Sequence, residues 1–150
     1  MAHTYVNCAL HVVFSTRNRT ALITDAWKSK MHAMLANIAH DRGFPTLVVG
    51  GVSDHVHLLM SLPSDQRICD CLRVLKGTSS KWLNDEFFPT REFGWQEGYG
   101  AFAISPSHVE ATIAYIRNQD EHHRQRTFQE EYREFLRKQG IVPDERYLWG

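Results

Sequence analysis

The chain has 150 residues, of which 43% are hydrophobic and 23% are charged, and this balance indicates one soluble domain over residues 1–150 with enough apolar side chains for a core. Seventeen basic and seventeen acidic side chains give a formal net charge of zero, which argues against a protein that coats nucleic acid through bulk charge. No apolar run approaches the roughly 18 residues that span a membrane and residues 1–4 lack a secretory pattern, so we expect a cytoplasmic protein without membrane contact.

The first half of the chain predicts three strands and two helices. Residues 5–15 are apolar and β-branched, which is typical of a central strand. Apolar side chains recur at helical spacing in residues 26–41 and again in residues 66–87, which predicts two amphipathic helices. Two short apolar runs between them, 44–51 and 55–62, are joined by a glycine-rich segment, which indicates a hairpin.

The second half adds one strand and two helices. The strand is predicted over residues 98–105, and Pro106 precedes a helix over about residues 108–122. A last helix is predicted over residues 127–139. The order strand, helix, strand, strand, helix, strand predicts the α+β class and a ferredoxin-like (RRM-like) βαββαβ sandwich, with a four-stranded antiparallel sheet and added C-terminal helices.

Two short motifs carry candidate chemistry. Alternate residues of a strand face the same side, so His55 and His57 can share a divalent cation. Residues four apart on a helix lie above one another, so Tyr115 and Gln119 present a phenol and an amide together. If that helical face lies over the histidines, a nucleophile stands beside a metal ion, an arrangement suited to phosphodiester chemistry.

Local basic clusters are the candidates for a phosphate path, because the net charge is zero. A solvated surface explains each cluster about equally well, since Lys and Arg are common on surfaces. The clusters are Arg17 with Arg19, Lys76 with Lys81, and Arg117 with Arg124 and Arg126.

These motifs, in this order, resemble the small single-tyrosine HUH transposases of bacterial insertion sequences, commonly called TnpA, and their REP-associated relatives. The resemblance covers nearly the whole chain, and the catalytic positions all match. Beyond His55-Val56-His57 and the pair Tyr115 and Gln119, it rests on three segments: HVVFSTRNR (residues 11–19), LKGTSSK (residues 75–81) and WQEGY (residues 95–99).

The resemblance implies a DNA transposase that cleaves and rejoins single-stranded DNA at the ends of its element. His55, His57 and Gln119 would hold a divalent cation, Mg²⁺ or Mn²⁺, and Tyr115 would attack a backbone phosphate to form a 5′-phosphotyrosine and a free 3′-hydroxyl. The chemistry is sound, because three neutral ligands leave coordination positions open to phosphate oxygens. The free phenol has a pKa of about 10, so a phenolate is accessible beside a cation.

The resemblance also implies two partners. One is DNA that forms imperfect hairpins at the element ends, and the other is a second copy of the chain, whose tyrosine helix would complete a composite active site. Trp95 and Tyr99 either stack on unpaired bases or fill the core, and core packing is the favoured interpretation. The expected DNA contacts are Arg17, Arg19, Lys76, Ser79, Ser80 and Lys81.

Two other interpretations remain open. The protein could be a catalytically silent DNA-binding protein of this fold, or a nuclease in which the cation activates water and Tyr115 only positions substrate. A covalent adduct distinguishes both from a transposase. We expect His11, His122 and His123 to be surface, capping or packing residues, since the sequence gives them no partner motif.

Overall fold

A four-stranded antiparallel sheet forms the centre of the structure, a computed structural model that describes residues 3–123 and 126–149. Its spatial order is β2-β3-β1-β4, with β1 central as predicted, and this order with the βαββαβ succession confirms the ferredoxin-like sandwich. The strands are β1 (Ala9–Ser15), β2 (Thr46–Val52), β3 (His55–Ser61) and β4 (Gly100–Ile104).

Two helices cover one face of the sheet and three cover the other. On the first face, alternate residues of β1 and β3 such as Val12, Phe14 and Leu58 pack against α1 and α2. On the second face, Val13 and Leu59 pack against side chains of α3 and α5. The helices are α1 (Lys28–Asp41), α2 (Ile68–Phe87), α3 (Val109–Arg117), α4 (Gln119–His122) and α5 (Phe128–Lys138).

This two-sided burial explains the near-continuous apolar runs of β1 and β3, since a strand with both faces covered needs apolar side chains at most positions. The polar exceptions stand on the second face. Ser15 pairs with His55 and Val13 pairs with His57 in the antiparallel register, so both histidines point towards α3, α4 and α5. Among the residues described, no helix is both long and apolar enough to cross a membrane.

Two predicted elements differ from the structure. The first strand begins at Ala9 rather than Tyr5, because its two partners end opposite Ala9, at Ser61 of β3 and Ile104 of β4. Tyr5 is 91% exposed as a result. The predicted helix 108–122 is interrupted at Asn118, whose ψ of 27° leaves the helical region and separates α3 from α4. Asparagine suits such a break, because its side chain competes for backbone hydrogen bonds.

Gly50 allows α3 to lie directly on the sheet. A Cβ at this position of β2 would stand 2.3 Å from the carbonyl oxygen of Ile116, which no real contact tolerates. Ile116 is fully buried and directly follows Tyr115 in α3. The absence of a side chain at Gly50 therefore sets how close the tyrosine helix comes to the histidine face.

We expect Gly50→Ala to lower the free energy of unfolding by about 2–3 kcal/mol, because α3 must move away from β2 to admit the methyl group. Thermal denaturation measures the loss. The matched control is Gly77→Ala in α2, where nothing lies within 4 Å of the new methyl group. That change removes a glycine from a helix interior and should raise the free energy of unfolding by roughly 0.5–1 kcal/mol. Equal melting temperatures for the two variants would contradict this account of the α3 contact.

Candidate metal centre and nucleophile

His55 and His57 lie fully buried on β3 with their ring centroids 5.0 Å apart. In each ring, Nδ1 already has a partner. Nδ1 of His55 lies 2.7 Å from the Asp54 carboxylate, and Nδ1 of His57 lies 2.8 Å from Nε2 of His11. Metal-binding histidines are held in this way, with one nitrogen bonded and the other directed to the ion. The Nε2 atoms of both rings are thus the available ligands.

Glu131 of α5 connects the two histidines. Its side chain is fully buried, and its Oε1 lies 2.9 Å from Nε2 of His57 and 3.5 Å from Nε2 of His55. A buried carboxylate needs charged or hydrogen-bonding partners, because leaving it unpaired costs several kcal/mol. Here the imidazoles supply those partners, and Glu131 stands where it would contact any ion bound to the histidines.

Gln119 and His123 complete the ring of donors. Oε1 of Gln119 lies 3.3 Å from Nε2 of His55 and 3.1 Å from Nε2 of His123. Nδ1 of His123 bonds the carbonyl oxygen of Arg126 at 2.9 Å, so its Nε2 also faces the centre, 3.3 Å from Oε1 of Glu131. One ligand atom from each of His55, His57, His123 and Glu131 lies within 4.8 Å of the others.

The donor set fits a divalent cation. Three imidazole nitrogens, one carboxylate oxygen and one amide oxygen form a mixed nitrogen and oxygen environment, which suits Mn²⁺ and other first-row metals and also accepts Mg²⁺ through its oxygens. The predicted metal ligands His55, His57 and Gln119 are all brought together. His123 was expected to be a surface, capping or packing residue, and the structure instead places it in this group.

The protonation states follow from burial and hydrogen bonding. Burial lowers the pKa of His57 to about 4 and that of His11 to about 3, so both rings are neutral at neutral pH. Burial also disfavours the charged form of His55, but hydrogen bonds to the carboxylates of Asp54 and Glu131 outweigh it and raise its pKa. Burial acts to raise the pKa of Glu131, and hydrogen bonds from the surrounding imidazoles overcome this and hold its pKa well below the usual range.

Tyr115 reaches the same carboxylate. Its hydroxyl donates a hydrogen bond to Oε2 of Glu131, while Oε1 of Glu131 faces the histidines. The phenol ring stacks on His122 with centroids 4.4 Å apart and meets the His57 ring edge-on at 5.9 Å. Burial and the Glu131 carboxylate together raise the pKa of Tyr115, so the phenol is protonated at rest. One carboxylate therefore joins the candidate nucleophile to the candidate metal ligands.

The sequence interpretation missed Glu131 and His123. Glu131 had one recognisable signal, since it lies on the apolar side of α5 among Phe128, Tyr132 and Leu136, all of them buried. A charged residue on the buried side of an amphipathic helix is uncommon unless it has a partner. His123 had a different signal, since it lies four residues after Gln119 and the two side chains meet, with Nε2 of His123 3.1 Å from Oε1 of Gln119.

The residues expected to contact DNA are not all in one place. Arg17 and Ser80 line an open pocket of about 410 Å³ together with Lys76 and Arg73. Lys76 is engaged within the fold, since its Nζ donates to the carbonyl oxygens of Gln96, Glu97 and Gly98. Burial lowers its pKa to about 8.

The other expected DNA contacts differ in their surroundings. Ser79 is fully buried, where its Oγ accepts a hydrogen bond from Nε1 of Trp95 at 2.9 Å. The Arg19 guanidinium lies over the Trp149 ring at 5.3 Å, and exposed Lys81 pairs with Asp85 at 2.8 Å. In the third basic cluster Arg117 is exposed on α3, whereas Arg124 lies outside the described residues. Trp95 is buried, which agrees with the favoured interpretation that it packs in the core.

Comparison with known proteins identifies the family. The family model described as "Transposase IS200 like" matches residues 4–119. The chain belongs to the IS200-like transposase family. The match contains His55, His57, Tyr115 and Gln119 and ends before His123 and Glu131. The resemblance drawn from the sequence motifs is thereby confirmed at the level of the family.

Relatives of this transposase come from several bacteria. It is 28% identical over 105 residues to the transposase for insertion sequence element IS200 of Salmonella typhimurium, covering 66% of this chain and 68% of that protein. It is 25% identical over 104 residues to the ISDra2 transposase TnpA of Deinococcus radiodurans, covering 69% of this chain and 71% of that protein.

Solved structures agree with the fold. A crystal structure of a Deinococcus radiodurans protein described as a transposase matches with a TM-score of 0.63 and 26% identity, covering 79% of this chain and 96% of that one. The REP-associated tyrosine transposase bound to a REP hairpin matches with a TM-score of 0.56 and 17% identity, covering 77% of this chain and 68% of that one. The second comparison supports the fold alone.

We expect the transposase to bind Mn²⁺ at this centre and to lose at least about tenfold in affinity in either His57→Ala or Glu131→Gln, since each change removes a ligand or its charge. Isothermal titration calorimetry at neutral pH measures the affinity. His40→Ala, an exposed histidine of α1, is the matched control and should bind as the wild type does. Unchanged Mn²⁺ affinity in Glu131→Gln would show that the carboxylate is not a ligand.

Proposed function

We propose that this transposase cleaves and rejoins single-stranded DNA at the ends of a mobile element by metal-assisted transesterification, with Tyr115 as the nucleophile. The observation that carries the proposal is the position of Glu131. Its carboxylate bonds the Tyr115 hydroxyl through one oxygen and meets the Nε2 atoms of His55 and His57 through the other. A nucleophile and a metal-binding group held by one carboxylate suit attack on a phosphodiester.

The proposed step conserves every atom. The Tyr115 oxygen forms a bond to phosphorus, the bond from phosphorus to the 3′-oxygen breaks, and the phenolic proton is transferred overall to the departing 3′-oxygen. The products are a 5′-phosphotyrosine and a free 3′-hydroxyl. Attack by the hydroxyl of another strand reverses the step, so cleavage and rejoining need no external energy source.

The residues of the site have separate proposed roles. Glu131 orients the Tyr115 hydroxyl, while Asp54 and His11 fix the ring orientations of His55 and His57. We assign His55, His57, His123, Gln119 and Glu131 as the groups that would hold Mg²⁺ or Mn²⁺. The ion would offset the negative charge that develops on the phosphoryl oxygens.

We further propose that the tyrosine acts within its own chain. The resemblance implied a homodimer in which the tyrosine of one subunit completes the metal site of the other. In this structure Tyr115 bonds Glu131 of the same chain, next to the histidines of the same chain. This contact within one chain supports an active site built from a single copy.

The DNA partner is proposed to be single-stranded DNA with a hairpin, as the REP hairpin of the structurally similar transposase suggests. Arg17, Arg73 and Ser80 line the open pocket beside the Trp95 to Tyr99 segment, and these groups suit a phosphate backbone. The backbone of Arg17 is held beside this segment, since its N–H bonds the carbonyl oxygen of Gly94 at 2.8 Å. The pocket therefore offers a preformed cationic surface.

Incubation with end-labelled single-stranded DNA from the flanks of the gene, in Mn²⁺ or Mg²⁺, should give labelled protein on a denaturing gel. Tyr115→Phe should abolish the adduct because it removes the nucleophilic oxygen, whereas Tyr5→Phe, the matched control at a 91% exposed position, should retain it. EDTA added before the DNA should also prevent formation of the adduct, because it removes the metal ion. Cleavage without an adduct would favour a water-activating nuclease, and binding without cleavage would favour a silent DNA-binding protein.

The same assay tests the single-chain arrangement. A mixture of Tyr115→Phe with His57→Ala regains activity only if the tyrosine of one chain enters the metal site of another. We expect no recovery. Recovered adduct, carried by the His57→Ala chain, would establish the composite site that the resemblance implies.

For the DNA surface, we expect Arg17→Ala to weaken hairpin binding and to reduce the slope of log affinity against log salt by about 1, because one phosphate contact is lost. Fluorescence anisotropy over a salt series measures both quantities. Arg42→Ala is the matched control, an exposed arginine at the end of α1. An unchanged slope in Arg17→Ala would remove this arginine from the DNA path.

A further inference from the structure

A guanidinium stands at the hydroxyl of the proposed nucleophile. The Tyr115 hydroxyl hydrogen-bonds the Glu131 carboxylate, and the Arg126 side chain is near enough to act on the same phenol, where it works to lower the pKa of Tyr115. Arg126 is half-buried and belongs to the third basic cluster of the sequence. The proposed function gives it no role, and it lies beyond residue 119, where the family match ends.

The backbone of Arg126 is held by the metal centre itself. Its N–H donates to the carbonyl oxygen of His122 at 3.2 Å, and its own carbonyl oxygen accepts from Nδ1 of His123 at 2.9 Å. The other nitrogen of His123 faces Glu131 and Gln119. A candidate ligand histidine thus anchors the backbone of the residue that carries the guanidinium.

Arg126 also borders open space. It lines a polar pocket of about 450 Å³ together with Ser53, Asp54 and His123. Asp54 and His123 belong to the metal centre through their bonds to His55 and to Glu131. Arg126 therefore borders both the candidate metal centre and a space large enough for part of a DNA backbone.

The charges of the site indicate a role for the Arg126 guanidinium. The donor set contains one carboxylate, so the double positive charge of a bound ion is halved before a phosphodiester arrives. Glu131 also places a negative charge at the oxygen that must attack an anionic phosphate. A guanidinium offsets that repulsion and offers paired N–H donors with the geometry of phosphate oxygens.

We propose that Arg126 is a catalytic residue that binds the non-bridging oxygens of the phosphodiester attacked by Tyr115. The inference rests on the proposed function, since it needs Tyr115 to form a bond to phosphorus. When that bond forms, the phosphoryl oxygens lie one bond from the Tyr115 oxygen, and a group that reaches this hydroxyl also reaches them. Arg126 then stabilises negative charge as the 3′-oxygen departs.

The test compares two substrates in single-turnover adduct formation with Mn²⁺. One is the ordinary single-stranded oligonucleotide, and the other carries a methylphosphonate at the scissile position, which replaces a charged oxygen by a neutral methyl group. We expect Arg126→Ala to slow adduct formation on the ordinary substrate by at least about 100-fold. On the methylphosphonate substrate the rates of wild type and Arg126→Ala should differ by less than about tenfold, because the charge that Arg126 stabilises is gone.

Controls separate this role from a structural one. Arg126→Lys keeps the charge but loses the paired N–H donors. Its rate of adduct formation should lie between the rates of wild type and Arg126→Ala. Melting temperature and Mn²⁺ affinity should match the wild type in both variants, since the side chain is not a ligand. Arg137→Ala removes the same charge from α5, where the guanidinium pairs with Glu134, and should react at the wild-type rate on both substrates.

The outcomes are distinct. An adduct formed by wild type and by Arg126→Ala at equal rates on the ordinary substrate overturns this inference and leaves the proposed function intact. An equal loss on both substrates also overturns it, because Arg126 would then only position Tyr115. Failure of the wild type to form any adduct overturns the proposed function and this inference with it.

Discussion

The buried carboxylate of Glu131 is the interaction on which this site depends. It has no access to solvent, and its two oxygens meet three imidazoles and one phenol. An uncompensated charge at that depth costs several kcal/mol, so the partners must arrive together for the chain to fold in this way. Those partners come from β3, α3 and the turn after α4, and Glu131 itself comes from α5. One charge thus holds together the elements that cover the second face of the sheet.

The sheet makes this possible by giving its two faces different chemistry. The face towards α1 and α2 is apolar and supplies the larger core, while the opposite face places His11, His55 and His57 among apolar neighbours. Each imidazole of the candidate metal centre has its Nδ1 bonded, to a carboxylate, an imidazole or a carbonyl oxygen. Such support fixes ring orientation before any ligand binds, which lowers the entropy cost of assembling the centre.

The cationic pocket and the metal centre are connected through β1. Gln96 lines the pocket, and its Oε1 accepts a hydrogen bond from the backbone N–H of Ser15 at 2.8 Å. Ser15 pairs with His55 across the sheet. A DNA strand bound along the pocket would therefore contact a segment bonded directly to the strand pair that holds the candidate metal ligands His55 and His57. This direct connection would suit the accurate placing of one phosphate while more distant DNA is held.

The sequence by itself determined the order of strands and helices and the placing of His55 and His57 on the same side of one strand. Each of these follows from local periodicity, because alternation along a strand and recurrence along a helix are properties of consecutive residues. Tyr115 and Gln119 were found by their spacing, although the helix that carries them is broken at Asn118. The sequence could only suggest, from the order of the motifs, that these two residues lie close to the histidines. The packing of α3 and α4 on the sheet brings them there.

Only the tertiary structure decided which further groups join them. Glu131 is 74 residues from His57, and no local pattern relates a carboxylate on α5 to an imidazole on β3. His123 enters the centre at the end of α4, where its Nε2 meets Glu131 and Gln119. Ser79 and Ser80 are neighbours in the sequence, yet one is buried against Trp95 and the other lines the cationic pocket. Contacts between distant residues depend on how whole elements pack, and packing is settled by the full set of buried side chains and charges together.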